Sequence, residues 1–472
     1  CQIQSRGLGD VYKRQGLMPS GPSGALMSGS PKPDTGMPWN RVRRLLNTGR
    51  GEGPAVFWSF CYFFSLLGSY YILRPIRDTM GIEAGVERMH WLFTGTFVAM
   101  LQLVRAFGWI TSRFGRQRFL PYVYAFFITN ILLFHLLFES DLAQAPVAAA
   151  FFIWLSVFNL FVVSVFWSFM TDLFHDEQAK RLFGFIAAGG TLGAIAGPAM
   201  TAILVQRLGN GQLLLISAGL LGFSILCITR LINWKKTAPE TAAAPAGSQD
   251  KEEQPLSGGA LDGILLVMRS PYLLGICVLI LLYSSLSTFL YFQQAQIIEG
   301  AFDDPDARTA VFAAIDLAVN ILTLLIQTLI TAPLVRRLGL ATTLALIPVF
   351  LSLGFLALAL SPALPVLVTV QVIRRAGNYA IMRPAREMLY VVLSREEKYK
   401  AKNFIDTVVY RGGDTASSWI YTMLRNLGLG LSATAWVAVP LSLLWAWVAF
   451  RLGRRHDAMA RPRNQGSQGE TK

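Results

Sequence analysis

The sequence predicts an all-α membrane protein with 12 transmembrane helices in two six-helix pseudo-repeats. Three observations carry this expectation. Apolar runs of about 18 residues or more, each long enough to cross a bilayer, occur at twelve places. Only 15% of the 472 residues are charged and 53% are hydrophobic, whereas a soluble chain carries about 25% charged residues; the mean hydropathy is +0.45. Lys and Arg collect in alternate loops, as the positive-inside rule requires.

The runs lie near 55–74, 91–111, 119–138, 146–168, 183–206 and 211–232, then near 272–294, 309–332, 340–360, 364–390, 404–425 and 430–450. They define an N-terminal six-helix half over 51–232 and a C-terminal half over 263–452. Between them lies a linker over 233–262, rich in Ala, Pro, Gly, Ser and Glu, which reads as disordered and cytoplasmic. A basic cytoplasmic tail is expected over 453–472. Residues 1–50 are expected to be a disordered segment outside the fold. The stretch from Gly9 to Gln15 resembles a translated sequencing adaptor, and Met18, Met27 and Met37 are candidate starts.

Orientation follows from the loops. One side carries Arg113, Arg116, Arg118, Lys180, Arg181, Lys235, Lys236, Arg336, Arg337, Arg395, Lys398, Lys400 and Lys402; the other carries Arg88, Arg207, Arg308 and Arg425. Both termini are therefore expected in the cytoplasm of a multi-pass bacterial inner-membrane protein. Cysteine labelling at Asp141 and Asp303 is expected from outside and at Gly247 from inside, and the opposite pattern would refute this orientation. The net charge of +14 is accounted for by these loops, so a nucleic-acid partner is not expected. The partners are the bilayer and a small solute, and the chain is expected to act as a monomer.

The halves repeat weakly. Ser-Arg-Phe-Gly at 112–115 answers Arg-Arg-Leu-Gly at 336–339, Gly189-Gly190 answers Gly412-Gly413, and Tyr70 answers Tyr291. The offsets all lie between 221 and 224, which argues for a duplicated six-helix unit.

Several spans carry polar stripes. At the end of span one, Tyr70, Arg74, Arg77 and Asp78 fall within one helical stripe about 100° wide. They suit either a helix end whose arginines snorkel to the interface or the wall of an anion-attracting cavity. Arg374 and Arg375 stand about ten residues into an apolar run. A charge at that depth costs roughly 2.5–3.5 kcal/mol and calls for a cavity or a partner, for which Glu387, Asp406 and Asp414 are candidates. Span ten aligns Arg375, Tyr379, Arg383 and Arg386. Span eleven aligns Asn403, Asp406, Tyr410 and Asp414, with Arg411 beside them. Span eight aligns Asp316, Asn320, Thr323 and Gln327. For Ser, Thr and Asn, helix–helix hydrogen bonding is the competing account. Spans one, seven, eight, ten and eleven are expected to line a central site, and Tyr70, Tyr71, Tyr379 and Tyr410 offer faces on which a base could stack. Spans six, nine and twelve are almost uniformly apolar and are expected to face lipid.

No Gly-Lys-Ser/Thr phosphate loop, nucleophile–base pair or metal-ligand spacing stands out, so neither an enzyme nor a cofactor or metal is expected. Cys1, Cys61, Cys227 and Cys277 are scattered, and His135 and His175 stand alone. Gly189, Gly190, Gly193 and Gly197 form a small-residue ladder for close helix packing.

The stretch from Gly108 through Arg113 and Gly115 to Arg116 resembles the cytoplasmic signature loop of the major facilitator superfamily, with Ser112 where that family usually has Asp. A narrower resemblance links Ile72-Leu73-Arg74-Pro75-Ile76-Arg77-Asp78 to the end of helix one in the ATP/ADP antiporter (nucleotide transporter) family. There a basic residue followed by Asp is implicated in transport, with Arg77 standing where Lys is usual. The stretches 166–197 and 374–414 look like bacterial antiporter-like members. The resemblance implies the major facilitator fold and an alternating-access secondary transporter for a phosphorylated or other anionic solute such as a nucleotide. Together with the polar stripes, this gives an expected site of Arg74, Arg77, Asp78, Arg374, Arg375, Tyr379, Arg383, Arg386, Asp406, Tyr410, Arg411 and Asp414. Two alternatives stay open. One is a proton-coupled facilitator of another solute with Asp316 or Asp406 carrying the proton; the other is a non-transporting scaffold or sensor.

Overall fold

The computed structural model describes residues 51–113, 116–140, 144–237 and 260–466. Residues 1–50, 114–115, 141–143, 238–259 and 467–472 lie outside them, so the expectations for the N-terminal segment, for most of the linker, for Gly115 of the signature loop and for labelling at Asp141 fall on residues that are not described. Among the described residues the secondary structure is helical throughout, and helices occupy all twelve predicted stretches.

In the N-terminal half these are α1 (Gly53–Glu83), α2 (Met89–Arg113), α3 (Arg116–Phe138), α4 (Gln144–Leu173) and α5 (Asp176–Thr237). The C-terminal half begins with the short α6 (Ala260–Arg269), α7 (Pro271–Ala301), α8 (Pro305–Leu329) and α9 (Thr331–Leu360). It continues through α10 (Leu364–Gly377), α11 (Arg383–Leu389), α12 (Arg395–Phe404), α13 (Tyr410–Asn426) and α14 (Leu431–Gly466). Eight helices among the described residues are long and apolar enough to cross a membrane. One of them, the 62-residue α5, is broken at Gly209, where φ is 78°; the predicted gap between spans five and six is this break. Gly339, at φ 73°, breaks α9 in the same way, in the Arg-Arg-Leu-Gly motif that the repeat picked out.

Start signals are local. The Ser270 side chain caps α7 ahead of Pro271, and Asp304 accepts from the Asp306 and Ala307 amides ahead of Pro305. Ser394 and Glu397 form a capping box at α12. Expected domain boundaries shift at three places: α5 runs on to Thr237 into the predicted linker, α6 starts at Ala260 within that linker's other end, and α14 runs into the predicted tail as far as Gly466.

The glycine ladder packs α5 on α1. A Cβ at Gly193 would lie 2.2 Å from the Phe64 carbonyl oxygen, and one at Gly197 would lie 2.7 Å from that of Gly68. Only hydrogen fits there, so the helices meet backbone to backbone. Ser65–Ser224 and Ser69–Ser217 hydroxyl pairs, each at 2.8 Å, tie α1 to the second arm of α5. The packing is looser in the repeat partner: a Cβ at Gly413 on α13 would lie 3.0 Å from Leu281 and 3.1 Å from Ser284 of α7, side chains rather than backbone. Large apolar side chains are exposed on the second arm of α5 (Phe223, Leu226), on α9 (Phe350, Leu353) and on α14 (Leu443, Trp447), the faces expected to meet lipid; α3 shares this exposure through Tyr122 and Phe126. His135 bonds the Gly211 carbonyl at 3.0 Å, a packing role.

Candidate functional site

Helix α1 brings its charged stripe to the junction of the halves. The stripe straddles Pro75; Asp78 meets Tyr291 of α7 and Arg74 meets Asp316 of α8. A cavity of about 220 Å³ lies there, between the halves. Its charged lining is Arg74, Arg77 and Asp78 from α1, Arg374 and Arg375 from α10, and Arg411 and Asp414 from α13. Tyr379 and Tyr410 complete the predicted residues that reach it.

The charges are arranged unevenly. Arg77 pairs with Asp78 at 2.6 Å, and the same carboxylate accepts from the Tyr291 hydroxyl at 3.0 Å. Asp316, only 1% exposed, stands behind the wall. It takes Arg375 at 2.6 Å from its own half and Arg74 at 3.6 Å from the other. Arg411 sits 3.7 Å from Asp414, whose second partner is the Ser284 hydroxyl at 2.6 Å. Arg374 is different. It is 8% exposed, donates to Gln371 Oε1 at 2.7 and 3.1 Å and to Ser287 Oγ at 2.8 Å, and has no carboxylate partner among the described residues. Five guanidinium groups thus meet three carboxylates in and behind one wall. In a partly dry cavity this surplus of positive charge costs free energy, which a bound anion would recover.

Four expectations are corrected. Arg383, Arg386 and Asp406 do not line the cavity. A π-helical segment, Asn378–Met382, holds Tyr379 and lies between Arg375 and the pair Arg383 and Arg386, and a second, Ile405–Val409, holds Asp406 and ends just before Tyr410. A π turn holds about one residue more than an α turn, so each stripe swings by about 100° across it. Arg386 instead lies 3.7 Å from Asp406, and Lys402 lies 2.5 Å from Glu387. The partner of Arg375 is Asp316 rather than Glu387, Asp406 or Asp414. Span eight contributes that carboxylate from behind and no lining residue. Tyr70, 7% exposed, is buried beside Tyr71, and neither lines the cavity.

Other lining residues carried no signal in the sequence. Phe93, Thr96 and Phe97 come from α2, and Phe152 and Ser156 from α4. They are ordinary members of apolar spans, and only the fold places them opposite α7 and α10. Gln294, Gln371 and Asn378 are also lining residues; Gln371 and Asn378 are single amides in a mostly apolar run and Gln294 belongs to the cluster Gln293, Gln294 and Gln296, a signal that could have found them.

Bonds across the halves lie between the middle of the helices and one end. They include Arg308–Glu83 at 2.6 Å, Thr79–Thr309 at 2.7 Å, Asn210 N–H to Asp306 at 3.0 Å and Trp419 Nε1–H to Thr94 at 3.1 Å. This end carries the Lys/Arg-poor loops.

The sequence matches the Major Facilitator Superfamily profile over residues 38–398. It is similar to the ADP,ATP carrier protein 1 of Chlamydia muridarum, 23% identical over 455 residues, covering 82% of this chain and 85% of the relative. The ADP,ATP carrier protein 1 of Chlamydia trachomatis is 22% identical over 458 residues, covering 82% and 86%. Among solved structures, the nucleoside transporter NupG superposes with a TM-score of 0.56 at 14% identity, covering 87% of this chain and 100% of that one. An auto-inhibited POT-family peptide transporter gives 0.55 at 15%, covering 88% and 97%. These structural likenesses speak for the fold alone, and with the profile match they lead to one conclusion: the chain belongs to the major facilitator superfamily of membrane transporters.

Proposed function

We propose that this transporter carries a phosphorylated anion, of which a nucleotide is the leading candidate, by alternating access through the cavity between its halves. The observation that carries the reading is Arg374, a buried guanidinium answered only by neutral oxygens, within a wall that already holds four more. Arginine's planar fork suits phosphate. Phe93, Phe97, Phe152, Tyr291 and Tyr410 supply aromatic faces close to the guanidinium groups, as a base next to a polyphosphate requires. The naming of the chlamydial relatives as ADP,ATP carriers supports the same solute class.

The cavity is smaller than the ~300–1,000 Å³ of a drug-sized ligand site, so a nucleotide enters as the halves part. With the Lys/Arg-rich loops and both termini in the cytoplasm, the end that is tied together faces outward, and loading occurs from the cytoplasmic side. Screening purified protein by thermal shift against nucleoside tri-, di- and monophosphates, inorganic phosphate and uncharged nucleosides tests the reading. Phosphorylated compounds are expected to stabilise the protein and nucleosides to leave it unchanged; stabilisation by nucleosides alone overturns the anion site.

A second reading rests on Asp316, a carboxylate shared by arginines of both halves. Its protonation would loosen Arg74, as in a proton-coupled facilitator. Uptake that follows an imposed proton gradient favours this reading, and indifference to the gradient favours exchange.

A further inference from the structure

Arg374 is held by an amide where a carboxylate of the same shape would bind it more strongly. Gln371 is 1% exposed and receives two hydrogen bonds from the guanidinium on its Oε1. Chemistry fixes the direction of the whole chain. A guanidinium only donates, so Gln371 must turn its oxygen to Arg374. Its Nε2 then faces Gln294 and donates to Gln294 Oε1. Gln294 is left with its own Nε2 at the cavity, which both glutamines line, and that group has no hydrogen-bond partner among the described residues.

We infer that Gln371 is a positioning residue that fixes Arg374 without neutralising it and, through Gln294, sets a second hydrogen-bond donor toward the same anion. This rests on the anionic-solute reading. Glutamate is the sharp contrast, because it keeps the shape of Gln371 and would pair with Arg374 as an ion pair. A carboxylate only accepts, so Gln294 would have to turn its amide over to donate, presenting its carbonyl oxygen to the cavity. One substitution therefore removes the surplus charge and reverses the hydrogen-bond polarity of the wall. For folding alone Glu is the better residue; for holding an anion it is the worse one.

The test compares wild type, Gln371→Glu and Gln371→Met as purified full-length protein, at a pH well above the ordinary carboxylate value of about 4. Melting temperature and affinity for ATP and for inorganic pyrophosphate are measured on each. Gln371→Glu is expected to melt at or above the wild-type temperature while binding both probes at least about tenfold more weakly. Gln371→Met, which keeps the charge of Arg374 but frees its side chain, is expected to melt lower and lose less affinity. Unchanged affinity in Gln371→Glu overturns the inference. So does a loss of affinity accompanied by the lowered melting temperature seen with Met, because Gln371 is then a packing residue. If wild type binds neither probe, the phosphorylated-anion reading falls. In that event a raised melting temperature in Gln371→Glu still supports Arg374 being held uncompensated, and a lowered one overturns it.

Discussion

Truncating Arg374 to Ala is expected to weaken binding of a polyphosphate by about tenfold to a hundredfold, since charge-assisted hydrogen bonds contribute roughly 1.5–3 kcal/mol. The loss should grow with phosphate number, so that a triphosphate suffers more than a monophosphate. Arg374 gives a cleaner answer than its neighbours. Removing Arg77 strands Asp78, and removing Arg375 leaves Asp316 with Arg74 at 3.6 Å, so folding and binding would change together. Removing Arg374 strands no carboxylate; it leaves Gln371 Oε1 without its donor, a cost of about 1–3 kcal/mol. Arg374→Lys should recover part of the affinity, because the charge stays and only the fork is lost. The measurement is titration on monodisperse protein, and equal affinities for wild type and Arg374→Ala would remove Arg374 from the site.

Asp316→Asn is expected to give the largest loss of stability. The carboxylate is 1% exposed and is shared by Arg74 and Arg375. Breaking a buried pair by removing one partner costs about 3–5 kcal/mol. Both arginines line the cavity, where water reaches them, so the lower end of that range, about 3 kcal/mol, is the expected cost. Asp316 also ties α1 to α8 across the two halves. A polyphosphate between Arg74 and Arg375 can take the place of the lost carboxylate. Ligand should therefore raise the melting temperature of Asp316→Asn by more than it raises that of wild type. Equal melting temperatures without ligand would show that this pair does not hold the halves together.

What could be read from the chain divides along physical lines. Apolar length and Lys/Arg asymmetry are one-dimensional signals, so the helical stretches and the doubling of the fold were legible. Arg374 and Arg375 were legible as cavity residues because a charge deep in an apolar run has few alternatives. Their partners were not. A helical wheel tells which residues share a face within one helix and says nothing about which helix stands opposite, so Asp316 was missed as the partner of Arg375. Arg383, Arg386 and Asp406 were misplaced because a wheel assumes unbroken α-helical spacing. The π turns at Asn378–Met382 and Ile405–Val409 rotate the stripe beyond them, and their residues are unremarkable helix-compatible types. Phe93, Phe97 and Phe152 could not be told from lipid-facing residues, because in an apolar span a ring on a cavity and a ring on lipid look alike.

The measurement that bears most directly on the account is solute flux. Purified protein is reconstituted into proteoliposomes loaded with unlabelled ADP, and uptake of labelled ATP, ADP, inorganic phosphate and adenosine is followed with wild type and Arg374→Ala. The account predicts that wild type takes up at least one phosphorylated solute faster than protein-free vesicles, that Arg374→Ala slows this uptake, and that adenosine does not enter. Uptake of adenosine with no entry of any phosphorylated solute would contradict it.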